Sequence, residues 1–261
     1  LSPDRPPFLI HAIRIPKSGS TSLTRMLAEA FAGRGRHYLP DTLRREAGIS
    51  RWQAFRLWRS QTQNLSAKLG VLSLAAALQR IETKALDGDL ITGGHSDQAT
   101  VQAGLKRPVR FITLLRDPAR RALSDYNYAR AGHLKKKPWQ RFDAHLLSRA
   151  AARFDFAGFL DYQLDQPEVF GDLACAYVGW GAGEDLERHL GDSLWDWATL
   201  EQPDGLAARL SEKLGRTVTF GRHNATDRFA AETITAADQA RIERLYGRDY
   251  ELHARCQAEN G

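Results

Sequence analysis

The chain has 261 residues, of which 43% are hydrophobic and 26% charged. That balance supplies a sizeable core and excludes wholesale disorder; no apolar run reaches the ~18 residues of a membrane-spanning helix, and two cysteines exclude a disulfide framework or a four-cysteine zinc site. A net charge of +6 points to an anionic partner (nucleotide, nucleic acid, acidic glycan or acidic lipid), with a merely solvated basic surface as the plain alternative.

In chain order, three short apolar runs read as buried strands, each closed by a punctuated loop. Phe8 to Ile15 runs into Pro16-Lys17-Ser18-Gly19. Leu90 to Thr92 runs into Gly93-Gly94-His95, and Val109 to Leu115 into Arg116-Asp117-Pro118. Helical spacing follows the first loop at Leu23, Met26, Leu27, Ala30 and Phe31, and precedes the second strand at Leu65, Leu69, Leu72, Ala76 and Leu78. Asp117 is a good N-cap with Pro118 at the first helical position, opening a helix through Ala122, Leu123, Tyr126 and Ala129. Further helices are expected over Phe156 to Leu164, Gly205 to Leu214 and Thr235 to Leu245, and a short strand over Thr217 to Phe220. Strands alternating with helices predict an α/β fold, a mostly parallel sheet flanked by helices on both faces. No linker divides the chain, so residues 1–261 are read as a single domain.

In such sheets ligands bind beyond the carboxyl ends of the strands, where all three loops are expected to lie. Lys17, Ser18, Gly19, Ser20, Thr21 and Ser22 join a strand to a helix. The helix start offers free N–H groups and a partial positive charge; Gly19 permits close approach, Lys17 adds a full charge and the hydroxyls add donors. This is a phosphate cradle but not a Walker A loop, because Lys17 precedes the glycine. A serine-rich helix cap is the plain alternative.

The run Ile15-Pro16-Lys17-Ser18-Gly19-Ser20-Thr21-Ser22-Leu23 resembles the 5′-phosphosulfate loop of sulfotransferases that use 3′-phosphoadenosine 5′-phosphosulfate (PAPS). It is most similar to the Golgi-type carbohydrate enzymes, including the heparan sulfate 2-O-sulfotransferase group and bacterial relatives. Leu114 to Tyr126, with Arg116-Asp117-Pro118 and Ser124, resembles the same family's 3′-phosphate motif. The resemblance implies that Arg116 and Ser124 bind the 3′-phosphate, a role that suits the planar fork of arginine. Arg222-His223-Asn224-Ala225-Thr226 looks like the family's late loop over the donor, which adds Asn224 and Thr226. Ile242 to Leu252 looks like its terminal helix. The implied fold is P-loop-like; the implied donor is PAPS, no metal is called for, and no nucleic-acid partner is expected.

Sulfuryl transfer to a hydroxyl needs in-line attack, a base and a cation for the leaving phosphate, by analogy with phosphoryl transfer. Lys17 is the candidate cation. His95 is the candidate base, because it follows a strand end and imidazole titrates near neutrality. His37 is the runner-up, with Glu29, Asp41 and Asp97 behind it, and His11 is expected to be buried in the first strand. The acceptor is expected to be a carbohydrate hydroxyl and to be anionic in some cases. Arg51, Trp52, Phe55, Arg56, Trp58 and Arg59 suit a sugar-binding face or the core stripe of an amphipathic helix. Lys135 to Lys137 reads as a solvated loop that an anionic acceptor would also fit.

Cys175 and Cys256 are expected to be separate buried thiols. Of two N-x-[ST] sequons, Asn64 and Asn224, a glycan on the second would obstruct the donor loop. Abundant Arg and Ala, one Met and few Cys fit a bacterial cytoplasmic protein. Two other function classes stand beside the transferase: a P-loop kinase or hydrolase using Mg·ATP, with Asp117 as metal ligand, and a non-catalytic basic module for nucleic acid or sulfated glycan.

Overall fold

In the computed structural model the described residues are 5–40, 74–137, 146–221 and 233–260. Five parallel strands form one sheet in the order β2-β3-β1-β4-β5: β1 is Leu9–Ile13, β2 Arg36–Leu39, β3 Leu90–Gly93, β4 Val109–Leu115 and β5 Leu194–Thr199. The helices among the described residues are α1 (Ser20–Ala30), α2 (Leu74–Lys84), α3 (Gln98–Ala103), α4 (Pro118–Leu134), α5 (Leu146–Arg153) and α6 (Phe156–Leu164). They continue with α7 (Pro167–Phe170), α8 (Leu173–Val178), α9 (Leu186–Ser193), α10 (Asp204–Leu214), α11 (Ala236–Leu245) and α12 (Gly247–Asn260). None is long and apolar enough to cross a membrane.

β1 is buried on both faces and apolar at every position but His11. Ile10 and Ala12 pack with α1 and α10 on one face. On the other, Leu9 joins α2 and the residues around α3, and Ile13 joins α8, α9 and α12. β4 divides likewise, with Ile112 and Leu114 towards α1 and Phe111 and Leu115 towards α8 and α12. Tyr126 and Phe159 centre a helical cluster of α4, α6 and α11 beside the sheet. Asp249 ties that layer to the next. It accepts Arg121 Nη2 at 2.6 Å and the N–H groups of Ala174 and Cys175 at the start of α8.

The three strands read from the sequence are β1, β3 and β4, the first shorter than its apolar run. The helices at 118, 156, 204 and 236 also match, and Thr235 and Asp238 form the capping box at the last. The strand expected over Thr217 to Phe220 is absent. Val218 N–H donates instead to Ser211 Oγ at 2.9 Å, which fastens the segment to α10 rather than to the sheet. Cys175 and Cys256 are both buried and unpaired by disulfide, as expected.

Two strands were not legible. β2 is a four-residue, mostly solvent-facing edge. β5 carries Asp196 in mid-strand, where its buried carboxylate takes Arg209 and Lys213 from α10. A register shift between Phe111 and Ile112 accommodates it. With this order the chain leaves β1 towards one edge and leaves β4 towards the other. β1 and β4 are neighbours, so a crevice opens beyond their carboxyl ends.

Candidate active site at the carboxyl end of the sheet

The first loop sits at that crevice. After β1 the chain turns with Ser18 N–H on Ile15 O at 3.3 Å. Lys17 adopts φ 64°, a left-handed conformation that costs a non-glycine residue about 1 kcal/mol and is found at functional sites. Gly19 (φ 75°) is the N-cap of α1 and packs so closely on Leu200 that a Cβ would meet its Cδ1 at 2.5 Å. No side chain caps α1 and no acid lies in its first turn, so its N–H groups and positive dipole end are uncompensated. Ser18 is 1% exposed, yet its Oγ has no partner among the described residues. Ser20 and Thr21 are half-buried and Ser22 is buried at the start of α1.

The second loop is tied directly to the first. Arg116, just past β4, donates from Nη1 to the main-chain oxygen of Lys17 at 3.1 Å. Asp117 then caps α4 through Oδ1 on Arg120 N–H at 2.9 Å, with Pro118 in the first turn. Burial works against the Arg116 charge; Glu201 supports it, Arg120 opposes it and Asp117 supports it. Arginine stays protonated regardless. Ser124 is half-buried on α4, in the turn after Arg121.

Lys17 is half-buried, and its ammonium lies over the ring of Tyr128 on α4, 3.7 Å from the centroid. Burial lowers its pKa; the Asp125 carboxylate pulls it back up and Arg116 pushes it further down. Asp125 is the mirror image, raised by burial and lowered by Arg121 and Lys17.

The third loop brings His95. Gly93, at φ 126°, runs so close to β2 that a Cβ would stand 2.3 Å from Leu39 O, and Gly94 N–H donates to that same oxygen at 2.8 Å. Arg14, past the end of β1, donates from Nη1 to Gly93 O at 2.7 Å. His95 Nδ1 meets Arg14 O at 2.5 Å. A carbonyl oxygen only accepts, so Nδ1 carries the proton and the lone pair of the neutral ring lies on Nε2. Thr92 Oγ1, Ser96 Oγ and Arg14 Nε are buried around this loop without partners among the described residues.

Three other histidines lie elsewhere. His37 is the second residue of β2, towards the amino end of the sheet, and bonds Asp89 at 3.0 Å, away from the three loops. That pairing removes the runner-up base. His11 is 1% exposed and bonds Gln98 at 3.0 Å; burial pulls its pKa down to about 4. His189 donates to Val178 O, and Asp97 caps α3. Glu29 is exposed on α1. Asp41, the 51–59 segment, Asn64, Arg222, His223, Asn224 and Thr226 lie outside the described residues. Lys135 and Lys137 are exposed just beyond α4.

The structure thus brings Lys17 and Arg116 together and attaches His95 to the end of the same strand, β1. It adds residues that sequence reasoning did not single out. Asp125 and Tyr128 follow Arg121 at helical intervals, a spacing that could have flagged them. Glu201 follows β5, whose strand had no readable pattern, and lies beside Arg116 and His253. Among the described residues no three His, Cys, Asp or Glu side chains gather as metal ligands. No protein-family model matches the chain, and no curated protein matches it.

Proposed function

We propose that the protein is a PAPS-dependent sulfotransferase that sulfates a hydroxyl of a carbohydrate or glycoconjugate acceptor and releases adenosine 3′,5′-bisphosphate. The observation that carries this reading is the Arg116–Lys17 hydrogen bond, which joins two separated cationic loops at one strand crossover. The donor is a nucleotide with an anionic group at each end of its ribose. The residues fit such a molecule. The uncapped start of α1, Lys17 and the unpartnered Ser18 hydroxyl suit its 5′ end, and the Arg116 fork suits a 3′-phosphate, with Ser124 nearby on α4. Neither cation forms an ion pair among the described residues, so both charges are left for a ligand. Asn224 and Thr226 complete the donor set by the sequence resemblance alone.

In this reading the acceptor oxygen bonds to sulfur while the sulfur–oxygen bond to the 5′-phosphate breaks. The hydroxyl proton passes to Nε2 of His95, the nitrogen left basic by the Nδ1 bond to Arg14 O. The leaving phosphate keeps the electron pair, and Lys17 and the α1 N–H groups meet its charge. Tyr38, 56% exposed and packed beside Gly93, offers a ring face of the kind that sugars stack on.

Calorimetric titration decides the donor class. Tight 1:1 binding of adenosine 3′,5′-bisphosphate without metal supports the proposal; preference for Mg·ATP overturns it in favour of a kinase or hydrolase. Lys17→Ala is expected to abolish turnover of PAPS, and near-normal rates would remove its assigned role. His95→Ala is expected to cut turnover while sparing bisphosphate affinity; an active variant moves the base elsewhere.

A further inference from the structure

We propose that Tyr128 is a positioning residue for Lys17, its ring holding the ammonium beside the first loop by a cation–π contact. The inference rests on the transferase reading for its catalytic consequence but not for the contact itself. Nζ stands 3.7 Å from the Tyr128 centroid, well inside the range of such contacts. Arg121 and Lys213 also lie over rings, those of Tyr246 and Trp195, but each has a carboxylate partner as well, Asp249 and Asp196. Lys17 forms no ion pair among the described residues, so the ring is its anchor.

The distinction has a physical consequence. A carboxylate in contact with Lys17 would neutralise its charge and compete with an incoming phosphate. A ring face attracts the ammonium through its quadrupole and adds no opposing net charge. Lys17 has a left-handed backbone and a four-carbon stem, so it needs an anchor if its ammonium is to stand in one place. Tyr128 supplies that anchor from α4, the helix that the Arg116 loop opens. It is 64% exposed, so its replacement is not expected to disturb the core.

The test compares Tyr128→Leu, which removes the ring, with Tyr128→Phe, which keeps it. The first readout needs no substrate: in the protein alone, the ε-methylene protons of Lys17 are expected upfield of those of lysines that face no ring, through the ring current. Leu collapses that shift and Phe retains it. With PAPS and an acceptor, Leu is expected to lower turnover about fivefold, the upper end for a cation–π contact on an exposed ring. Its affinity for adenosine 3′,5′-bisphosphate stays within about threefold, because Arg116 is untouched, and Phe recovers turnover. A Lys17 resonance that is unshifted in the wild type, or unchanged by Leu, overturns the contact. Bisphosphate affinity that falls in step with turnover overturns the positioning role, since Tyr128 would then act on the nucleotide. If the wild type binds no bisphosphate, the transferase reading fails, and the Lys17 resonance alone decides the contact.

Discussion

Two polar clusters at opposite ends of the sheet treat their buried groups in opposite ways. At the amino end Asp89 takes Arg5, His37 and the N–H groups of Gly35 and Leu86, so its two oxygens are saturated by this chain. At the carboxyl end Ser18 Oγ, Thr92 Oγ1, Ser96 Oγ and Arg14 Nε are buried without partners among the described residues. The same contrast divides two arginines five positions apart. Arg121 is buried against Asp249 and the Tyr246 ring, whereas half-buried Arg116 donates to a main-chain oxygen, that of Lys17. Leaving a buried polar group unbonded costs ~1–3 kcal/mol. A cluster saturated by its own chain therefore holds the fold, and one left short of partners is suited to a ligand that completes it.

The largest expected effect separates the two arginines. Arg121→Ala strands the buried Asp249 carboxylate and is expected to cost about 3–5 kcal/mol in chemical denaturation. Arg116→Ala is expected to cost under about 1 kcal/mol. Equal losses would dissolve the contrast.

Next is a buried group that is saturated in only one charge state. His11 is neutral in the fold, with its pKa pulled from 6.5 to about 4 by burial, which outweighs the Gln98 hydrogen bond and the charge of Asp97. Its contribution is full above pH 6.5 and is lost as pH falls from there towards 4, on the order of 3 kcal/mol at most. His11→Gln should flatten the stability profile across that window. Asp89 acts lower. Burial raises its pKa, but hydrogen bonds from His37, Leu86 and Gly35 outweigh this and hold it below 3.8. Its contribution is thus present above that value and lost as pH falls through the lowered one. A profile flat between pH 7 and 4 in the wild type would break the His11 assignment.

Arg116→Ala sharpens the comparison from the binding side. Loss of a charge-assisted pair predicts roughly 10–100-fold weaker adenosine 3′,5′-bisphosphate binding, with 5′-AMP much less affected. Similar losses for both nucleotides argue against a 3′-phosphate site. The smallest effect is the most diagnostic of an unfilled donor. Ser18→Ala removes a hydroxyl that has no partner, so stability should hold or rise slightly while nucleotide affinity falls by about threefold. A destabilised variant would mean that this hydroxyl already serves the fold.

The sequence alone determined the strands that carry the site and the order of its loops. The apolar runs of β1, β3 and β4 announce burial on two faces, and the lysine–glycine turn and the Asp117-Pro118 cap mark where helices start. Those signals are local, so a linear reading reaches them. Separating His95 from His37 needed the tertiary structure. Both are histidines near short strands, but parallel pairing puts His37 at one end of the sheet on Asp89 and His95 at the other on Arg14 O. β5 escaped notice because a charged residue in mid-strand hides its pattern, and its partners Arg209 and Lys213 come from another element. The link between Arg116 and Lys17, and the ring beneath the ammonium, likewise join residues about 100 positions apart. Spacing along a chain fixes which face of an element a residue occupies, whereas contact across elements follows only from strand order and register.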